Sequence, residues 1–177
     1  MPEVKIYTPS KFLYDVRDHV IDTTDALSKM ERYTLRSTSI HYIPAYYDSK
    51  LKEGAALLMG DCHYAQTHLG FLKDWPYYRG NTGDKGWEAG PIDIYGREHA
   101  NNQVHLAHTL VHEMGHALTH CHSHDEIWAA KCAILGIKVF AYEGDMLNIN
   151  HLDPRQWEWS NCKLLDWVKA RPKVEWD

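Results

Sequence analysis

The stretch Val104-His105-Leu106-Ala107-His108-Thr109-Leu110-Val111-His112-Glu113-Met114-Gly115-His116-Ala117-Leu118 contains no proline and one glycine, and it limits the fold more than any other part of the chain. Val104, Leu106, Leu110, Val111, Met114 and Leu118 put apolar side chains on more than one side of a helix, which predicts a buried central helix. Asn101 and Asn102 stand where its N-cap is needed. Within it, His112 and His116 are four residues apart, so they share one face about one turn from each other. This HExxH spacing lets both imidazoles reach one Zn²⁺, with Glu113 beside them to act on a water at the metal.

A catalytic zinc takes three protein ligands and keeps a fourth position open. The third must come from beyond the helix, where the chain offers His120, His122 and His124. His120 continues the helical face roughly 5–6 Å past His116, so it suits one metal only if the helix ends early. His122 has the spacing of the metzincin pattern HExxHxxGxxH, but Thr119 stands where that pattern has its glycine. His124 follows enough residues for the chain to return, and it opens the next helix. Spacing alone leaves the choice open.

Around this helix the pattern predicts an α+β domain spanning residues 1–177, with a short mixed sheet packed on the HExxH helix and further helices. A short strand is expected at Val4–Tyr7, then one amphipathic helix over Ser10–Glu31 with Leu13, Val16, Val20, Leu27 and Met30 on its apolar stripe. Leu35–Ile43 reads as a strand, and Ala55–Tyr64 as a second with a bulge at Gly60. Asp74–Gly90 reads as a long loop, whose aromatic part from Trp75 to Trp87 is a surface loop or a cleft wall. Ile92–Tyr95 reads as a short strand. His124-Asp125-Glu126 begins a helix that Gly136 ends, Ile137–Tyr142 is extended, and Leu152-Asp153-Pro154 starts the last helix, which stops before Pro172.

Composition narrows the function. The 177 residues are 44% hydrophobic and 24% charged, as in an ordinary globular domain. A net charge of −5 argues against a chain whose main task is gripping nucleic acid, and the basic stretch Lys163–Lys173 reads as the solvated side of a helix. Cys62, Cys121, Cys132 and Cys162 form no CxxC pair, so no zinc ribbon is present. The first residues lack an apolar signal region, and the apolar run Ala55–Met59 is too short to cross a membrane. A cytoplasmic setting with no membrane partner is the expectation.

The segments Leu110–Leu118, His124–Lys131 and Leu135-Gly136-Ile137 together resemble the SprT-like zinc metallopeptidases. Members carry HExxH on one helix, then a histidine followed four residues later by Phe or Trp, at the start of a helix that ends near a Leu-Gly pair. His124 with Trp128 matches that second half. The resemblance spans about residues 92–137 and assigns the third-ligand role to His124. It implies a small zincin-like fold, a Zn²⁺ cofactor and a protein or peptide substrate. DNA enters as a partner through the resemblance alone, since the family includes proteases that degrade proteins crosslinked to DNA. The interval from His116 to His124 is shorter than the family's, which keeps His122 as the alternative ligand.

The expected chemistry is amide hydrolysis with Zn²⁺ on His112, His116 and His124 and with Glu113 as general base. Tyr142, Arg97 and His151 are candidates to stabilise the oxyanion. His108 is expected to pack behind the site, and Asp125 and Glu126 to serve the N-terminus of their helix. His63 and His68 are expected on the surface or in a cleft, and Met146 in the core. Two alternatives stay open: a metzincin-type protease using His122, and a non-catalytic zinc-binding domain closed by a fourth protein ligand.

Overall fold

The computed structural model describes residues 6–43, 60–67, 86–94, 103–119, 124–141 and 158–176, with the backbone alone for 60–67 and 86–90. In chain order the elements are α1 (Pro9–Thr23), α2 (Lys29–Ser37), β1 (Ile40–Tyr42), β2 (Gly60–Thr67), β3 (Gly86–Ile94), α3 (Gln103–Thr119), α4 (Glu126–Leu135), β4 (Ile137–Lys138), β5 (Glu158–Trp159) and α5 (Cys162–Lys169). The architecture is α+β, with α3 at its centre.

α1 starts where Thr8 Oγ1 accepts the Lys11 amide at 3.1 Å and Pro9 takes a first-turn position that needs no donor. Its buried stripe is Phe12, Leu13, Val16 and Val20. The single helix expected over Ser10–Glu31 is broken at Thr24, because Ser28-Lys29-Met30-Glu31 forms a capping box. Ser28 Oγ accepts the Glu31 amide at 3.1 Å, and Glu31 Oε1 accepts the Ser28 amide at 3.0 Å. A second N-terminus cannot lie inside a continuous helix. α2 then carries Leu35 into the core, so the strand expected over Leu35–Ile43 shrinks to Ile40–Tyr42. Ile6–Thr8 form no strand, though the Tyr7 carbonyl accepts the Glu175 amide at 2.8 Å; residues 1–5 lie outside the described residues.

β1, β3 and β2 form a mixed sheet in that order. β1 runs parallel to β3 with Ile40 opposite Ile92 and Tyr42 opposite Ile94, and β2 is antiparallel from Gly60 opposite Ile94 to Thr67 opposite Gly86. The irregularity in β2 falls between Cys62 and Tyr64, and Gly60 begins the strand instead of bulging from it. Gly86–Gly90, expected as loop, belong to β3 because β2 pairs with Gly86–Ala89 and resumes at Ile92 beyond the irregularity, and pairing overrides their low strand propensity. Residues 55–59, 74–85 and 95 lie outside the described residues.

One face of the sheet buries Ile40, Ile92 and Ile94 in the same core as Leu106, Leu110, Met114 and Leu118 of α3. α3 also packs against α1, α2, α4, α5 and β4, which explains why its apolar residues surround it. Asp125 caps α4 by accepting the Trp128 amide at 3.0 Å, and Gly136 ends it with φ of 126°, as the sequence predicts. Of the extended segment expected over Ile137–Tyr142, Ile137–Lys138 form β4, which pairs with β5, residues 139–141 form no strand, and Tyr142 lies outside the described residues. β5 occupies Glu158–Trp159 and Asn161 Oδ1 caps α5 at the Lys163 and Leu164 amides, so the last helix starts at Cys162. Leu152-Asp153-Pro154 lie outside the described residues. Among the described residues, no helix is long and apolar enough to cross a membrane.

Candidate metal centre

α3 delivers His112 and His116 from one face, one turn apart, and the chain returns to place His124 immediately before the α4 cap. His124 Nε2 lies 3.2 Å from His116 Nε2 and 3.3 Å from His112 Nε2. The ligand atoms of all three lie within 4.8 Å of one another. Nitrogens at about 2.0–2.1 Å from one tetrahedral ion stand about 3.3 Å apart, so both short separations match the edges of a tetrahedral metal site. Donor chemistry agrees. A ring nitrogen offers one lone pair or one proton. His124 Nε2 can therefore satisfy one of its two neighbours well, whereas a cation between the three satisfies all of them.

Glu113 projects beside this cluster, with Oε1 3.7 Å from His112 Nε2 and the residue 5% exposed. His116 is buried, while His112 and His124 are partly open. The triad thus has a buried side and an accessible one.

No protein-family model, no curated protein and no solved structure matches this chain. What the site can do follows from its own residues: three imidazoles that can hold a metal ion, and a buried carboxylate beside them. The structure brings together His112 and His116 of α3 with His124, which stands just before α4.

The x–x positions of HExxH have separate roles. Met114 is core. Gly115 faces α4 so closely that a Cβ there would stand 2.5 Å from Cys132 Sγ and 3.2 Å from Trp128 Nε1. A glycine inside a helix pattern signals such an approach. Burial, with the Glu113 charge nearby, pushes the Cys132 thiol well up, so it stays protonated. His108 packs as expected: its Nε2–H donates to the Glu158 carbonyl at 2.9 Å, and its ring meets Trp159 edge-on. Asp125 serves as the α4 N-cap. His120, His122, His68, Arg97, Tyr142, Met146 and His151 lie outside the described residues, as does the side chain of His63.

Proposed function

We propose that this chain is a zinc-dependent metallopeptidase of the SprT-like HExxH type, with a zincin-like arrangement of helices, acting on protein or peptide substrates. The observation that carries the reading is the convergence of His112, His116 and His124 Nε2 at coordination spacing, with Glu113 Oε1 3.7 Å from one of them. Zn²⁺, when bound, polarises a carbonyl oxygen and lowers the pKa of water to about 7. Three neutral imidazoles hold the ion without cancelling its charge, and the partly open His112 and His124 leave substrate a way in. Glu113, held in a low-dielectric pocket, accepts the proton of the attacking water and returns it to the leaving amine. A purely structural site gains nothing from this buried carboxylate.

The test is metal analysis of the full chain with a cleavage assay on an unfolded protein, in the presence and absence of single-stranded DNA. One zinc per chain is expected. Glu113→Gln should keep that zinc and lower turnover by about 10²–10⁴-fold. Wild-type turnover in Glu113→Gln would remove the general base, and zinc retained without cleavage by the wild type would leave a non-catalytic metal domain. Stimulation by DNA would add the partner that the resemblance implies.

A further inference from the structure

The three imidazoles are part of a cluster of four rings. The fourth is Trp128 of α4, whose residue is 1% exposed. The ring centroids of His112, His116, His124 and Trp128 are mutually 4.7–5.2 Å apart, so the four sit near the corners of a regular tetrahedron. The indole lies almost parallel to His116, at 16°, and steeply inclined to His112 and His124, at 68° and 88°. Stacked and edge-on contacts are both favourable geometries at these separations. Each imidazole of the triad is in contact with the indole.

Two further features fix the indole itself. Its Nε1–H donates to the carbonyl of His112 at 3.3 Å, joining α4 to the backbone of a ligand residue on α3. The missing side chain of Gly115 makes room for it, since a Cβ there would come within 3.2–3.3 Å of Nε1 and Cδ1. A ring clamped in this way fills the space on its side of the histidine triangle.

We infer that Trp128 is a positioning residue for the metal centre. It holds the three imidazoles at coordination spacing before the ion arrives, and it closes the inner side of the triad so that the open coordination position faces outward. This rests on the metal-centre reading above. Partners that orient metal-bound imidazoles by hydrogen bonding are worth about 10–100-fold in metal affinity, which sets the scale for a partner that orients them by ring contact.

The experiment compares wild type, Trp128→Phe and Trp128→Leu as full chains, with zinc affinity measured by chelator competition and cobalt(II) substitution read by visible absorption. Trp128→Phe keeps an aromatic wall and should bind zinc within about threefold of wild type. Trp128→Leu keeps an apolar filler without the ring contacts, and it should weaken zinc by about 10–100-fold. Its cobalt band should also fall as an additional ligand enters from the inner side, because four-coordinate cobalt absorbs most strongly. A merely structural tryptophan would lower the stability of the metal-free protein in both variants and leave the affinity and the cobalt band of the folded fraction unchanged; that result overturns the inference. Should Trp128→Leu not fold, fluorotryptophan-labelled wild type decides. Cobalt must broaden the fluorine resonance that Trp128→Phe removes far more than those of Trp159, Trp167 and Trp176, and equal broadening overturns the inference. A wild type that binds neither zinc nor cobalt sinks the metal-centre reading itself, an outcome distinct from metal binding that is indifferent to Trp128.

Discussion

Lys131 Nζ lies 2.6 Å from Glu31 Oε2 across a hundred residues of sequence, with the two side chains 1% and 4% exposed. The other oxygen of Glu31 accepts the Ser28 amide, so one carboxylate completes the α2 cap and grips α4. Lys131 is one turn beyond Trp128 on α4. The pair therefore sets where α4, and the His124 that precedes it, lies against the rest of the core.

Removing the ammonium should be costly. Lys131→Met leaves the Glu31 carboxylate buried without this counter-charge, and a broken buried pair costs about 3–5 kcal/mol. Glu31→Gln/Lys131→Met, which removes both charges and keeps an acceptor for Ser28, should recover most of that loss. Urea unfolding of the metal-free proteins measures both. A loss of under about 1 kcal/mol in Lys131→Met is what an exposed pair gives, and it would mean that the contact is not buried in solution.

Gly115→Ala should damage the junction between α3, which carries His112 and His116, and α4, which His124 precedes. Its Cβ would stand 2.5 Å from Cys132 Sγ, closer than side chains pack, so α4 must shift or Cys132 must give way. Overpacking of this kind costs about 1–3 kcal/mol. The strain is transmitted to Trp128, so zinc affinity should fall as well. Gly115→Ala/Cys132→Ala removes the worst contact and should regain part of both losses, while the 3.2 Å approach to Trp128 Nε1 remains. Thermal unfolding and chelator competition on the two variants check this; a double variant no better than the single one would place the conflict somewhere other than the sulfur.

The central helix was legible because its evidence is local and dense: fifteen residues without proline, apolar on several sides, with two histidines at helical spacing. The α4 caps at Asp125 and Gly136 were legible for the same reason. His124 was less so, since spacing alone left three histidines open and only the resemblance selected one; the structure brings His124 to the other two. The break between α1 and α2 was written in Ser28-Lys29-Met30-Glu31, but a continuous apolar stripe obscured it. Gly86–Gly90 are strand only because β2 lies beside them, and a neighbour contributed from elsewhere in the chain leaves no local mark. The Glu31–Lys131 pair and the ring contacts of Trp128 are likewise products of packing between distant segments. Local pattern predicted the central helix and the ends of α4; the contacts that hold the site depend on how distant segments meet.

His108 should make the metal-free protein acid-sensitive. The residue is 4% exposed, and burial pulls its imidazolium down from 6.5 to about 4, against the opposing effect of the hydrogen bond to the Glu158 carbonyl. The unfolded chain therefore takes up this proton near the ordinary value, while the folded protein resists it until about 4. Stability must fall as pH drops between those two values and level off below them. At about 1.4 kcal/mol per unit, the loss from this residue is on the order of 3 kcal/mol. His108→Gln keeps an N–H donor for the Glu158 carbonyl and cannot titrate. It should be less stable than wild type near neutrality through poorer packing against Trp159, yet lose less on acidification. Unfolding free energies from urea curves across this range, taken on chelator-treated protein so that ligand release does not contribute, give the difference profile. If the two proteins lose stability in parallel, the acid-sensitive group is another histidine, and His105, which burial also shifts downward, is the next to replace.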